Sequence, residues 1–215
     1  FSVIFKARWG VESHEGKAAF ALALFMGLIT FSIFSEVANS APSLVLGNAN
    51  YVKKVVFPLE ILPFVKLLSA LINAVFSLGV LFAGILIFNH FIHWTALLLP
   101  LIWLPMMMFT LGCGYFLASL GVFVRDMGTV IGVLTTILFF LTPIFYPISA
   151  IPEQFRIFCR INPIAIFVED ARRVVLWGLF PDWPWFFFGM ALSVAVLIFG
   201  FVWFMRSKKA FADVV

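Results

Sequence analysis

His90 and His93 stand three positions apart, a spacing that can bring two imidazoles onto one metal ion. No cysteine or acidic side chain lies beside them, so the pair reads as interfacial polar groups at a membrane boundary in preference to a metal site. Acid–base chemistry would have to come from Asp126, Glu153, Glu169, Asp170 and Asp182. Only Glu169 and Asp170 are close in sequence, and an arginine-matched helix, with Arg173 at i,i+4 from Glu169, explains that pair. A membrane glycosyl or acyl transferase would need acids, bases or metal ligands converging at the lipid boundary, and this spacing gathers none. The lone Gly16-Lys17 lacks the glycines of a G-x-x-x-x-G-K-[ST] phosphate loop, so ATP hydrolysis by that route is not available to this chain. Glu36, Glu60 and Lys66 sit towards the ends of apolar runs, which does not suit a proton or sodium relay, and no repeat of two related halves is present. Cys113 and Cys159 form neither a disulfide framework nor a zinc spacing.

The elements that must carry these residues follow from composition. In 215 residues, 64% are hydrophobic and only 11% charged, with a mean hydropathy of +1.13. A soluble fold needs roughly a quarter of its residues charged, so the solvent of this chain is lipid. Its net charge of +4 is scattered over loops, which suits a membrane surface and not nucleic acid. A bilayer core needs about 20 apolar helical residues, and five segments meet that template: residues 18–40, 64–88, 96–119, 129–148 and 185–205. Pro105, Gly112 and Gly114 in the third are tolerable where neighbouring helices satisfy the backbone. Trp183 and Trp203 are placed as interface anchors of the fifth. FSVIF at the beginning is too short to span, so residues 1–17 are expected to be the outer end of a truncated first span and its loop. The fold class is therefore all-α, a polytopic membrane domain of six helices, with residues 206–215 as a tail.

Two stretches interrupt the spans. In residues 149–183, IPEQFRIFCRI places Ile151, Phe155, Phe158 and Ile161 on one helical face, opposite Glu153, Gln154, Arg156 and Arg160. Asn162 then suits an N-cap with Pro163 at the first helical position, followed by an apolar stripe of Ile164, Phe167, Val168, Ala171 and Val175 up to Gly178. Two short helices with one wet face would dip into the interface, as a surface loop on headgroups or as a gate. In residues 49–60, Val52, Val55, Val56 and Leu59 share a face while Lys53, Lys54 and Glu60 fall elsewhere, and Pro58 limits the helix. This element either connects two spans or docks a soluble partner.

Orientation is weakly encoded. With the C-terminus inside, Lys53, Lys54, Arg125, Arg206, Lys208 and Lys209 are inner charges, against Lys6, Arg8, Lys17, Arg156, Arg160, Arg172 and Arg173 outside. The totals nearly balance, and the RSKK cluster after the last span is the best argument for an inside C-terminus. A membrane pathway without its own energy source remains, and an ATPase partner would complete it.

ANYVKKVVFPLEILP, VFVRDMGTVIGVL, LTPIFYPISAIPEQFRIFCRINPIAIFVEDARRVVLWG and the terminal KKAFADVV resemble the permease subunits of bacterial polysaccharide-export ABC transporters, the ABC type-2 permeases of O-antigen, capsule or teichoic acid export. The resemblance implies a cytoplasmic coupling helix in the first inner loop, carried by Tyr51, Val52, Lys53, Lys54, Val55, Val56, Phe57, Pro58, Leu59 and Glu60. Arg125 and Asp126 form a second candidate contact to the ATPase, or a local ion pair capping a helix. It further implies paired gate helices on the outer face, two copies of this chain, two copies of a separate ATPase that holds ATP and Mg, no cofactor in this chain, and a bacterial cytoplasmic membrane. The expected cargo is a lipid-linked glycan; a small solute or drug is the alternative. Sugar rings present C–H faces that stack on aromatic side chains, so Phe139, Phe140, Phe145 and Tyr146 are candidates for the conduit, with Phe155, Phe158, Phe167, Arg156 and Arg160 on the gate. Most of the 29 Phe residues are expected to face lipid or other helices as apolar bulk.

Overall fold

The computed structural model describes residues 14–48, 58–124, 126–145 and 161–214. Among them every element is helical: α1 His14–Leu44, α2 Ile61–Asn89, α3 Leu99–Phe123, α4 Met127–Leu141, α5 Pro163–Val175 and α6 Trp183–Val214, with short 3-10 turns at Leu46–Asn48 and Trp94–Leu98. Four stretches are long and apolar enough to cross a membrane: Ala18–Leu44, Ile61–Asn89, Trp94–Phe123 and Trp183–Phe211. In lipid a helix is the open-ended way to satisfy every backbone N–H and C=O internally, so long apolar runs become long helices. Residues such as Phe76, Val80, Ile87 and Leu97 remain exposed along them, which is the surface that lipid or another chain covers.

Two expectations change. The run expected as a span at residues 129–148 is helical only over Met127–Leu141. That is about 22 Å of helix against a hydrocarbon core of about 30 Å. Pro143 disfavours helical geometry at Thr142, so the helix stops at Leu141 and a bend follows. The expected tail, residues 206–215, instead continues α6 to Val214, because Phe211 lies two turns beyond Phe204 and both are fully buried.

The chain's contacts group into two compact units, each assembled from several stretches. Unit 1 contains residues 1–31, 74–104 and 139–189. Its core holds Met26 from α1, Leu81 and Ile85 from α2, Ile102 from α3 and most of α5, including Phe167. Unit 2 contains residues 32–73, 105–138 and 190–215. There Ala41, Val45, Leu59, Tyr115, Ala118, Val122, Phe204 and Phe211 form one buried cluster. Glycine permits close approach within unit 2: a Cβ on Gly112 would stand 2.6 Å from the Val196 carbonyl oxygen. In lipid, where apolar contact alone gains little, such backbone-to-backbone packing is a main source of helix association.

Candidate functional site

In unit 2 the described flanks of the segment 49–57 are firmly rooted. Val45, just beyond α1, and Leu59, just before α2, enter the same buried cluster with residues of α3 and α6. The Tyr115 hydroxyl donates to the Glu60 carbonyl at 3.0 Å, and Lys208 Nζ lies 2.6 Å from Glu60 Oε2. That hydrogen bond from Lys208 holds the Glu60 carboxyl below its ordinary pKa, with burial opposing it. Pro58 is exposed, and its carbonyl accepts the Ile61 N–H at 3.0 Å to start α2. Tyr51, Val52, Lys53, Lys54, Val55, Val56 and Phe57 lie outside the described residues, as does Arg125. Asp126 is exposed, and its backbone carbonyl accepts the N–H groups of Thr129 and Val130 at the start of α4.

In unit 1 the residues expected on the gate divide. Tyr146, Phe155, Arg156, Phe158 and Arg160 lie outside the described residues. Phe139, Phe140 and Phe145 form one aromatic group with ring centroids 5.1–6.2 Å apart, and Phe139 also meets Phe31 edge-on at 5.3 Å. Phe140 is 63% exposed, so this group presents a ring face outward. Phe167 is fully buried with its ring against Gly189, where it packs the helix and does not line a surface.

Helix α5 begins as expected: the Asn162 side chain accepts the Ile164 N–H at 3.1 Å, with Pro163 next. The face that carries Glu169 and Arg173 stays partly exposed, but it is narrow: Asp170 and Arg172 are each 2% exposed, so α5 is enclosed over most of its circumference. Arg172 donates from Nε to the Ala23 carbonyl at 2.9 Å, from Nη1 to Pro143 at 2.7 Å and from Nη2 to Ile144. Gly27 makes room for this guanidinium, since a Cβ there would stand 2.6 Å from Nη2. Burial lowers the Arg172 pKa to about 10, so it stays charged at neutral pH, with Glu169 at 3.9 Å. Arg173 donates to the Phe180 carbonyl at 2.9 Å, closing the turn after α5. The Thr95 hydroxyl fixes the end of α5 by donating to Val174 at 2.6 Å.

One Asp170 oxygen accepts the Asp182 N–H at 3.0 Å, and the other is buried with no hydrogen-bond partner among the described residues. Burial raises this carboxyl from 3.8 to about 7. Below pH 3.8 both folded and unfolded chains hold the proton. Between 3.8 and about 7 the unfolded chain releases it first, so stability from this group is lost as pH rises through that window. Asp170→Asn is therefore expected to gain thermal stability relative to the parent as pH rises from 4 towards 7 and to hold that gain above it. Melting series of both proteins across this range check the sign; a constant difference would refute it.

His93 meets Phe91 edge-on at 4.8 Å, and its Nδ1 lies 2.5 Å from where a Cβ on Gly178 would stand. Among the described residues no group of three or more His, Cys, Asp and Glu side chains is arranged to hold a metal.

A second polar arrangement, not anticipated as a unit, lies in unit 2. Lys66 Nζ is 2.9 Å from Glu36 Oε1, and Asn73 Nδ2 donates to both carboxylate oxygens at 3.3 and 3.1 Å. The Thr135 hydroxyl lies 2.9 Å from Asn39 Oδ1, joining α4 to α1. The signal available beforehand was the helical spacing of Lys66 and Asn73, seven apart on α2, opposite Glu36.

Comparison with known proteins bears on the chain as a whole. Residues 1–176 match a family model described as ABC-2 type transporter. The chain is 26% identical over 196 residues to the O-antigen export system permease protein RfbA of Myxococcus xanthus, an alignment covering 90% of this chain and 75% of that protein.

Proposed function

The chain belongs to the ABC-2 type transporter family and is a multi-pass transmembrane subunit of an ABC transporter; from that premise we propose that it exports a lipid-linked polysaccharide across the bacterial cytoplasmic membrane. Its partner is an ATPase, which supplies the energy this transport subunit does not generate. Two copies of the chain form the pathway, with two copies of the ATPase, and ATP and Mg are held on the ATPase. The relative's O-antigen export supports a glycan cargo, and so does the outward-facing aromatic group of Phe139, Phe140 and Phe145, on which sugar faces can stack.

The observation that carries the coupling mechanism is the rooting of both ends of the 49–57 segment in one buried cluster. A push on that segment reaches α1, α2, α3 and α6 together, because Val45, Leu59, Tyr115 and Phe204 are packed against one another. Closure of the ATPase pair on ATP would supply the push. Simultaneous Lys53→Ala, Lys54→Ala and Phe57→Ala changes are expected to abolish glycan export while the chain remains in the membrane. Export assays with membrane fractionation and ATPase co-elution check this, and unaltered export would count against the docking role.

A further inference from the structure

The three spans or span-like helices α1, α2 and α4 each turn a polar row outward on unit 2. On α1, Glu36 and exposed Asn39 stand three apart; on α2, Lys66, exposed Ser69 and exposed Asn73 follow at three and four; on α4, Thr136 is exposed beside Thr135. The Glu36–Lys66–Asn73 and Asn39–Thr135 contacts tie these rows into one continuous stripe. Asn73 lies about 18 Å along α2 from Ile61, well into the depth of a bilayer core about 30 Å thick.

Lipid cannot cover this stripe cheaply. The Glu36 and Lys66 side chains keep 30% and 26% of their surface exposed. An ionised pair facing hydrocarbon is rare, and such groups face a bundle interior or a water-filled cavity. The ammonium carries three donors and the exposed amides of Asn39 and Asn73 carry both donors and acceptors. Water satisfies such a mixture in any orientation, as do hydroxyl groups, whereas a dry seam must match every one of them individually. On the opposite side of α2 the exposed positions Leu68 and Val75 are apolar, so hydration is confined to one side of the helix.

We propose that this stripe lines a water-filled passage and hydrogen-bonds hydroxyl-rich cargo as it moves, an assignment that rests on the glycan-export reading. The neutral balance of Glu36 against Lys66 suits a cargo recognised through hydroxyls and not through charge.

The test uses the full chain co-expressed with its ATPase in membranes, with Cys113 and Cys159 replaced by alanine. Single changes Asn39→Cys, Ser69→Cys and Asn73→Cys are compared with Leu68→Cys and Val75→Cys for reaction with a charged, membrane-impermeant thiol reagent. Only a hydrated thiol ionises enough to react. The stripe positions are expected to react severalfold faster than the two controls, and more slowly when an ATPase variant unable to hydrolyse ATP stalls a lipid-linked glycan in the complex. Rates equal to the controls would overturn the passage, as would disulfide cross-links between two copies in place of labelling. Fast labelling that the stalled glycan does not slow would overturn the cargo contact. Loss of glycan export on deleting the chain tests the parent reading separately, because the labelling comparison needs no export assay.

Discussion

Arg172→Ala is expected to destabilise the chain by about 3–5 kcal/mol, the cost of breaking a buried charged network by removing one partner. The guanidinium reaches three carbonyls, Ala23 on α1 and Pro143 and Ile144 in the bend after α4, so its loss leaves three buried acceptors unpaired at once. Each unpaired buried acceptor costs about 1–3 kcal/mol before relaxation. The bend is affected most, since α4 has already ended at Leu141 and those carbonyls have no helix of their own to complete. Arg172→Lys keeps the charge but replaces a planar fork by a point donor, so it should recover only part of the loss. Gly27→Ala attacks the same site from the other side, because its methyl would displace Nη2. Denaturation midpoints of the purified chain in lipid discs give the comparison. An unchanged midpoint in Arg172→Ala would show that the three contacts are replaced by water at no cost.

This arginine also shows where reading the chain residue by residue stops. Its charge was counted with the outer loops, as Lys208 was counted with the inner ones. Yet Arg172 is buried and Lys208 pairs with Glu60, so both serve partners 148 or more residues away. Hydropathy tells where a helix runs, which is why α1, α2, α3 and the start of α6 were legible within a few residues. Local chemistry tells where it starts, which is why the Asn162-Pro163 cap of α5 was legible as well. A helical period names a face but not what covers it. The stripe Ile164, Phe167, Val168, Ala171 and Val175 is buried as expected, while Asp170 and Arg172, which flank it, are buried too. Glu36, Lys66 and Asn73 meet only when α1 and α2 pack together, so spacing puts Lys66 and Asn73 on one face of α2 but does not pair that face with Glu36. The shortness of α4 was the more accessible miss, because Pro143 stands inside the run that was expected to continue.

Gly112→Ala and Gly200→Ala are each expected to weaken the packing of α3 against α6 by about 1–3 kcal/mol, the usual range for overpacking a close contact. A Cβ on Gly112 would meet the Val196 carbonyl oxygen at 2.6 Å and the Leu197 nitrogen at 2.7 Å, and a Cβ on Gly200 would run into the Gly112 carbonyl. These obstacles are backbone, which cannot rotate aside as a side chain can, so the helices must separate. Separation would loosen the rings that flank the contact: Phe116 against Phe199 and Trp203, and Tyr115 against Phe201 and Phe204. Because either methyl forces the same separation, the double variant should cost clearly less than the sum of the two, a coupling expected only of sites in direct contact. Gly79→Ala and Gly128→Ala provide the opposite sign. Neither position has a neighbour among the described residues within 4 Å of a new Cβ, so gaining helix propensity should leave stability unchanged or raise it by up to about 1 kcal/mol. Additive losses at Gly112 and Gly200, or losses of equal size at Gly79 and Gly128, would mean that these glycines matter for backbone freedom and not for close approach.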